Sequence, residues 1–201
     1  MTNKTSTQTL ETTGSDILVW LRFTVLFLII GGFIYPVVTT LVAGAIFPRQ
    51  ANGSLLEHNG VVVGSSLVGQ SFSGEQHFIG RPSAAGDGYN PTSVSGSNLS
   101  VTNPSLRERA TATSAEIATR ENVEPSQIPI DLIAASGSGI APHISPEAAA
   151  LQIPRIAEVR GLTTEQVQQL VTEHTMRNPL GLGMPAVNVL ELNLALDELN
   201  Q

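Results

Sequence analysis

The 201-residue sequence lacks cysteine altogether and contains a single lysine, Lys4. The absence of cysteine excludes disulfide bonds and thiolate metal sites, although it does not identify the redox compartment. Without a lysine after residue 4, a phosphate-binding loop of the Walker type is excluded, because that loop needs a lysine at a fixed position. From Arg49 onward, eight arginines stand against fifteen acidic residues, a net charge of −7. Such an acidic region does not suit nucleic acid, whose phosphates require a basic surface.

Charged residues and histidine are absent from residues 23–48, a run of 26 residues. A helix needs about 20 apolar residues to cross the hydrocarbon core of a membrane, so we predict one transmembrane helix over roughly residues 17–47. A cleaved signal peptide and a buried core helix are the alternatives. The run exceeds the roughly 7 to 15 residues of a signal peptide's apolar region, and helices of soluble proteins keep a polar face. Both arguments favour a membrane anchor.

Small residues and a proline interrupt this predicted span. Pro36 cannot donate a hydrogen bond to the carbonyl of Gly32, so it bends the helix there, and in lipid the freed carbonyl needs a partner. Thr40 and Gly44 form a small-xxx-small pair, which permits close approach of a second helix. We therefore predict that Gly32, Tyr35, Pro36, Thr40 and Gly44 contact a partner helix. The alternative is that a single-span helix tolerates Gly and Pro without any contact.

The basic residues around the span predict its orientation. Lys4 and Arg22 precede it and Arg49 follows it. Because basic residues favour the cytoplasmic side, we expect a cytoplasmic amino end and an extracytoplasmic carboxyl-terminal domain. The predicted organisation is a disordered cytoplasmic tail at residues 1–15, a transmembrane anchor at residues 16–48, and a domain at residues 49–201. We expect that domain to be mixed α/β, with helices packed on a small sheet.

Turn and capping signals place the predicted elements of this domain. Asn59-Gly60 favours a hairpin turn, between strands at residues 54–58 and 61–65. Asn103-Pro104, Ser145-Pro146 and the Thr163/Gln166 pair are typical helix starts. They predict helices at residues 104–121, 146–160 and 164–176. Short apolar runs predict strands at residues 130–134 and 187–192, and Asn193 is the predicted cap of a last short helix.

Residues 69–103 form a long polar segment rich in Gly, Ser, Asn and Pro. A connection of this length is either disordered or an ordered functional loop. Arginine and tyrosine are common interface anchors. Arg81, Tyr89 and Asn90 therefore indicate an ordered loop that docks on another protein.

Ser136-Gly137-Ser138-Gly139 invites two enzymatic interpretations. As a nucleotide-binding loop it lacks the lysine of the Walker-type phosphate loop, and it has only a fragment of the glycine pattern of the dinucleotide-binding fingerprint. A tight turn that needs positive φ is the simpler interpretation. Asp131, Ser138 and His143 lie close in sequence, but no Gly-x-Ser-x-Gly elbow surrounds Ser138, and a triad is defined by geometry. We predict no catalytic, cofactor or metal site in this chain.

The stretch Asp131-Leu-Ile-Ala-Ala-Ser-Gly-Ser-Gly-Ile-Ala-Pro-His-Ile-Ser-Pro-Glu147 resembles the signature of the C subunit of the Kdp potassium-transporting P-type ATPase. Other motifs match in the same order. They are Gly64-Ser-Ser-Leu-Val-Gly-Gln70, Gly80-Arg-Pro-Ser83, Tyr89-Asn90, Ser95-Gly-Ser-Asn98 and Val187-Asn-Val-Leu-Glu-Leu-Asn193. The resemblance covers roughly residues 20–199. The amino tail and the polar face of residues 104–121 match less well.

This resemblance implies an accessory, non-catalytic subunit of a high-affinity, ATP-driven potassium uptake complex in the bacterial inner membrane. The implied partners are a channel-like potassium-translocating subunit, a P-type subunit that hydrolyses ATP, a small single-span subunit and membrane lipid. ATP and potassium ion would be handled through the complex. Within the matched signature, Ser136, Gly137, Ser138, Gly139 and His143 become candidates for partner contact.

The resemblance also implies a role in assembly and a catalytic-chaperone role that raises the ATP affinity of the pump subunit. An extracytoplasmic domain does not meet cytosolic ATP, so the residues give no account of that second role. The alternative from a different class is a free-standing exported binding protein or hydrolase with a signal anchor.

Overall fold

The computed structural model describes residues 14–177 and 182–199. The chain divides into two compact units, the first ending at Asn52 and the second beginning at Gly53. Residues 1–13 of the predicted tail lie outside the described residues, and helix begins at Gly14.

The first unit is helical. It comprises α1 (Gly14–Ile29), a π-helical turn (Ile30–Ile34), α2 (Tyr35–Ile46) and the short α3 (Pro48–Ala51). Residues Asp16–Ile46 have the length and composition of a membrane-crossing helix, with a mean hydropathy of 2.4. Large side chains such as Trp20, Phe27 and Leu41 face outward. This exposure distinguishes the helix from the buried core helix of a soluble protein, because apolar side chains of that kind are normally inside.

The irregularity expected at Pro36 takes the form of the π-helical turn. The N–H of Tyr35 donates to the carbonyl of Ile30, five residues back. Pro36 has no N–H to donate to the carbonyl four residues earlier, and the wider turn accommodates that missing hydrogen bond. Nearby, Thr39 Oγ1 donates to the carbonyl of Tyr35 at 2.6 Å. This hydroxyl is therefore satisfied within its own helix, as a lipid environment requires.

The second unit is mixed α/β, as predicted. Two small antiparallel sheets have the strand orders β1-β2 and β3-β5-β4. The elements are β1 (Leu55–His58), β2 (Val61–Ser65), α4 (Pro104–Glu121), a 3-10 turn (Pro125–Gln127), α5 (Ile130–Ile133), β3 (His143–Ile144), α6 (Pro146–Arg160), α7 (Thr164–Glu173), β4 (Thr175–Met176), β5 (Ala186–Asn188) and α8 (Val189–Glu198).

The predicted helix starts are confirmed by their caps. The side chain of Asn103 accepts from the N–H of Ser105 at the start of α4, and that of Ser145 accepts from Ala148 at the start of α6. Thr163 forms the expected capping box with Gln166. These signals were sufficient because a cap involves only neighbours in sequence.

Three predictions for extended or terminal segments were wrong. Residues 130–134 are not a strand, because Ile130–Ile133 form the one-turn helix α5. The strand predicted at residues 187–192 ends at Asn188, whose Oδ1 accepts from the N–H groups of Leu190 and Glu191 and so starts α8. Asn193 therefore caps nothing and lies inside α8.

The helix predicted to reach residue 176 also ends early. Helix α7 stops at Glu173, and Thr175–Met176 form strand β4 against β5. An edge strand of the three-stranded sheet replaces the last helical turn, because pairing with β5 satisfies the backbone there.

The core of the second unit lies where α6, α7 and α8 pack on the β3-β5-β4 sheet. Its fully buried side chains include Ile156 from α6, Val167 from α7, Leu192 and Leu196 from α8, and Val187 from β5. Phe78 lies in the same cluster with no exposed surface, although it belongs to residues 69–103. The long segment is therefore built into the core.

Candidate partner-docking loop

Residues 69–103, hereafter the long loop, contain no helix or strand. Phe78 and Ala85 are nevertheless completely buried. A buried backbone must find hydrogen-bond partners, and outside a sheet it must find them on side chains or on other loops. The contacts that supply them define the shape of this loop.

Two buried amide side chains form hydrogen bonds with the backbone of the loop. Asn193, on α8, accepts from the N–H of Phe78 at 2.8 Å and donates to its carbonyl at 3.0 Å. Gln152, on α6, accepts from the N–H of Ile79 at 2.7 Å and donates to its carbonyl at 3.3 Å. Each amide thus reproduces the pair of hydrogen bonds that a neighbouring strand would give.

Arg155 fixes the stretch just before Phe78. Its Nε donates to both carboxylate oxygens of Glu121 at 3.0 Å, and its Nη atoms donate to the carbonyls of Glu75 and His77. The Arg155 and Glu121 side chains are only 7% and 1% exposed. Arg160 adds a bond from Nε to the carbonyl of Gln76 at 2.7 Å. Arginine suits this position because its planar fork serves several acceptors at once.

The predicted anchors Arg81 and Tyr89 contact each other and their own domain. The Tyr89 hydroxyl donates to the carbonyl of Arg81, and the backbone N–H of Tyr89 donates to Ser83 Oγ at 2.7 Å. Arg81 Nη2 donates to the carbonyl of Ala134 at 3.3 Å. Asn90 folds the next turn, where its Oδ1 accepts from the N–H of Thr92 at 2.9 Å. These residues hold the shape of the loop, and their contact with another protein stays a prediction.

The Ser136–Gly139 segment lies against the long loop. Ser83 Oγ donates to the carbonyl of Gly139 at 2.6 Å, and the N–H of Ser136 donates to the carbonyl of Pro82 at 2.9 Å. At Gly139, φ is +78°, and an added Cβ would lie 2.5 Å from the carbonyl oxygen of Ser95. The glycine is required by the backbone conformation and by this close approach.

Three N–H groups at the end of this segment and just after it donate to the segment's own serine hydroxyls. Those of Gly139 and Ala141 donate to Ser136 Oγ at 3.1 and 3.3 Å, and that of Ile140 donates to Ser138 Oγ at 3.2 Å. A phosphate-binding loop directs such groups outward at its ligand. The geometry therefore supports the tight-turn interpretation over a nucleotide-binding one.

The structure does not assemble a triad from Asp131, Ser138 and His143. Among the described residues, none of these three side chains forms a hydrogen bond with either of the other two. The carboxylate of Asp131 instead accepts from the N–H of Ser145 at 2.7 Å and from its hydroxyl at 3.1 Å. His143 lies on β3, half-buried, and burial lowers the pKa of its imidazole while the Glu191 carboxylate opposes this shift.

The residues of the membrane anchor that are predicted to contact a partner helix belong to the first unit. Gly32 lines a groove on the helix surface with Trp20, Phe23 and Phe27. At Gly32 and Gly44, an added Cβ would meet no atom within 4 Å. Tyr35, Pro36 and Thr40 are exposed as well. These positions are accessible to a second helix, but the contact itself stays a prediction.

The sequence analysis missed the residues that hold the loop, namely Arg155, Gln152, Asn193 and Ser83. A signal was present for Asn193, which interrupts the apolar face of α8 beside Leu192 and Leu196. A polar residue at a core position usually bonds to buried backbone. Its partner, Phe78, lies 115 residues earlier, so sequence could not identify it.

Alkaline pH is expected to destabilise the fold through Tyr89. Burial raises the pKa of this phenol from 10.0 to about 12, against the opposing effect of the Arg81 charge. The unfolded chain therefore loses this proton first, and stability falls as pH rises through this interval. The melting temperature of the full chain in detergent should drop more between about pH 10 and pH 12 than that of Tyr89→Phe. Identical pH dependences for wild type and Tyr89→Phe would contradict the assignment.

Together the two units define a class, a single-span membrane protein that carries a mixed α/β domain. The chain matches the family model described as K+-transporting ATPase, c chain (KdpC), over residues 17–198. It therefore belongs to the KdpC family, and the resemblance of its motifs to that family is confirmed. It is a subunit of the multi-subunit K+-transporting ATPase, and its role is in potassium transport.

Relatives named "Potassium-transporting ATPase KdpC subunit" are similar along nearly their whole length. The one from Herpetosiphon aurantiacus is 49% identical over 180 residues, which cover 87% of this chain and 92% of the relative. The one from Ralstonia nicotianae is 49% identical over 173 residues, 85% of each chain. The one from Escherichia coli O127:H6 is 45% identical over 182 residues, 89% of this chain and 95% of the relative.

Proposed function

We propose that this chain is a non-catalytic subunit required for assembly of the potassium-uptake complex. The observation that carries the proposal is the long loop, an irregular segment held in one shape by Arg155, Gln152 and Asn193. Long loops without secondary structure are usually functional when they are ordered, and recognition surfaces are commonly loops on a rigid scaffold. The loop is such a surface.

The proposed site of action is the outer face of the bacterial inner membrane. The amino end lies in the cytoplasm, α1 and α2 cross the lipid, and the second unit lies outside. There the long loop docks on the channel-like subunit, while Gly32, Thr40 and Gly44 allow close packing of a neighbouring helix. The P-type subunit and the small single-span subunit complete the assembly.

An effect on the ATP affinity of the pump subunit would then be exerted through the assembly. The N–H groups of Gly139 and Ile140 donate to serine hydroxyls of the Ser136–Gly139 turn and are not free to bind a phosphate, which favours an indirect route. Stabilising the pump in a conformation that binds ATP more tightly requires only a different affinity of this chain for the two conformations.

Co-purification tests the docking role. The tagged wild-type chain, extracted in detergent, should bring the other subunits with it. The double variant Arg81→Ala/Tyr89→Ala should bring down far smaller amounts of the other subunits, because the loop loses the contacts that shape its surface. Arg177→Ala, an exposed position outside the loop, is the control. Normal recovery with both loop residues replaced would contradict docking, and a wild-type chain that purifies alone would contradict the assembly role.

A reporter fused after Gln201 tests the orientation. Alkaline phosphatase, which is active only outside the cytoplasm, should be active in this fusion, whereas green fluorescent protein exported by the same route should be dark. The opposite pattern would place the domain in the cytosol. Release of the chain, trimmed near Ala45, into the periplasm would favour a cleaved signal peptide.

A further inference from the structure

The guanidinium of Arg81 has no acidic partner among the described residues. Three other arginines near the long loop each have a carboxylate within the 4.0 Å limit for an ion pair. Arg155 pairs with Glu121 at 3.0 Å, Arg160 with Asp197 at 2.6 Å, and Arg120 with Glu121 at 3.7 Å. Arg81 has only the carbonyls of Ala134 and Ala135, both bound through Nη2.

The remaining donors of Arg81 are not all satisfied. Its Nε atom is buried and has no hydrogen-bond partner, as is also true of Nε in Arg109 and Arg120. Arg120 has carboxylates of Glu121 and Glu75 within 4 Å, whereas Arg81 has none among the described residues. A guanidinium carries five N–H donors and stays charged at every physiological pH. A buried donor without a partner costs free energy, and the cost is larger when the group is charged. The observation therefore points to an acceptor supplied from outside this chain.

A cleft of about 390 Å³ lies beside Arg81, between the long loop and α4. Its lining includes the apolar residues Phe72, Ile79 and Ile117 and the hydroxyl-bearing residues Ser71, Ser73 and Thr113. Within the described residues, these three hydroxyls make no hydrogen bond. Apolar walls with a few converging polar groups are typical of binding sites of this size.

The charges of the cleft select the ligand. The fork of an arginine matches a carboxylate, and the bond is strongest where water is partly excluded. Arg120 also lines the cleft, but its charge is met by Glu121 at 3.7 Å and Glu75 at 3.8 Å. Glu116 lines the cleft as well, exposed and without an ion pair among the described residues. The negative charge of Glu116 repels a polyanion such as a nucleoside triphosphate. A single carboxylate on a larger, partly apolar group pairs with Arg81 and meets less repulsion from Glu116 than a polyanion does.

We propose that this cleft binds an aspartate or glutamate side chain from an extracytoplasmic segment of another subunit of the same complex. The inference rests on the proposed docking of the long loop, with which the cleft is continuous. The volume is several times that of a carboxylate, so neighbouring residues of the segment pack against Phe72 and Ile117.

Photo-crosslinking in the assembled complex tests the inference. A photoreactive phenylalanine analogue replaces Thr113 in the cleft, and in a control replaces Gln168, exposed on α7. Irradiation of the purified complex that carries the analogue at position 113 should crosslink this position to another subunit. Mass spectrometry should place the crosslink within a few residues of an Asp or Glu, and the Gln168 position should give no such product.

A charge exchange then tests the pairing itself. Arg81→Glu should reduce recovery of the complex about tenfold or more, as expected for a lost close charge pair. Replacing the crosslinked acid by arginine should restore recovery in the double variant. Melting temperatures separate loss of pairing from loss of fold.

Each failure has a distinct meaning. Co-purified subunits with no crosslink from residue 113, a crosslink to lipid, or a crosslinked segment without an acid would overturn the cleft assignment and leave the proposed function standing. A failure of the wild-type chain to bring down any subunit would overturn the proposed function as well.

Discussion

Replacing Arg155 with alanine is expected to lower the free energy of unfolding by about 3–5 kcal/mol, the usual effect of breaking one side of a buried ion pair. The side chains of Arg155 and its partner Glu121 are 7% and 1% exposed. Without the guanidinium, the carboxylate of Glu121 keeps only Arg120, whose Nε lies 3.7 Å away. The carbonyls of Glu75 and His77 also lose their donor.

Chemical unfolding of the full chain in detergent, followed by circular dichroism, measures this loss. Glu75→Ala is the matched control, because Glu75 also faces Arg155, at 3.9 Å, but is 59% exposed. An exposed ion pair contributes at most about 1 kcal/mol. The double variant Arg155→Met/Glu121→Leu should recover much of the stability, since no charge is left buried. Equal losses for Arg155→Ala and Glu75→Ala would show that burial is not the cause.

Gly139→Ala is expected to cost about 2–5 kcal/mol and to detach the long loop from residues 136–141. Two effects add. A non-glycine residue at positive φ costs about 1–2 kcal/mol, and overpacking costs about 1–3 kcal/mol. The new methyl group would lie 2.5 Å from the Ser95 carbonyl oxygen and 2.6 Å from the Ala85 Cβ. Both neighbours belong to the long loop, so the loop must move.

Gly137→Ala provides a control two residues away, since a Cβ at Gly137 would meet no atom within 4 Å. Limited proteolysis and thermal unfolding should leave this variant close to wild type. Gly139→Ala should be cut within residues 69–103 at much lower protease concentrations. Similar cleavage of the two variants would mean that the Ser136–Gly139 turn does not hold the loop.

The parts of the fold that could be predicted from the sequence were those decided by neighbouring residues. Asn103, Ser145 and Thr163 cap their helices through bonds to residues two or three positions ahead. The span at residues 16–46 is likewise a property of one continuous run. Short apolar runs were less informative, because four or five such residues suit a strand or a helical turn equally. Ile130–Ile133 is such a case.

The sequence did not predict which residues contact the long loop. Arg81, Tyr89 and Asn90 indicated an ordered segment, but they were predicted to contact another protein and not their own domain. Sequence alone could not show that Tyr89 donates to the Arg81 carbonyl. The pairs Glu121–Arg155 and Phe78–Asn193 are separated by 34 and 115 residues, so only the folded chain brings them together.

The wide turn at Ile30–Ile34 has a consequence for how a single-span subunit meets its neighbours. One residue added to a helical turn rotates everything beyond it by about 100° around the axis. Side chains of α1 and α2 that would form one continuous stripe on a regular helix are thereby directed to different sides. The half of the membrane segment before the turn therefore presents a different face from the half after it.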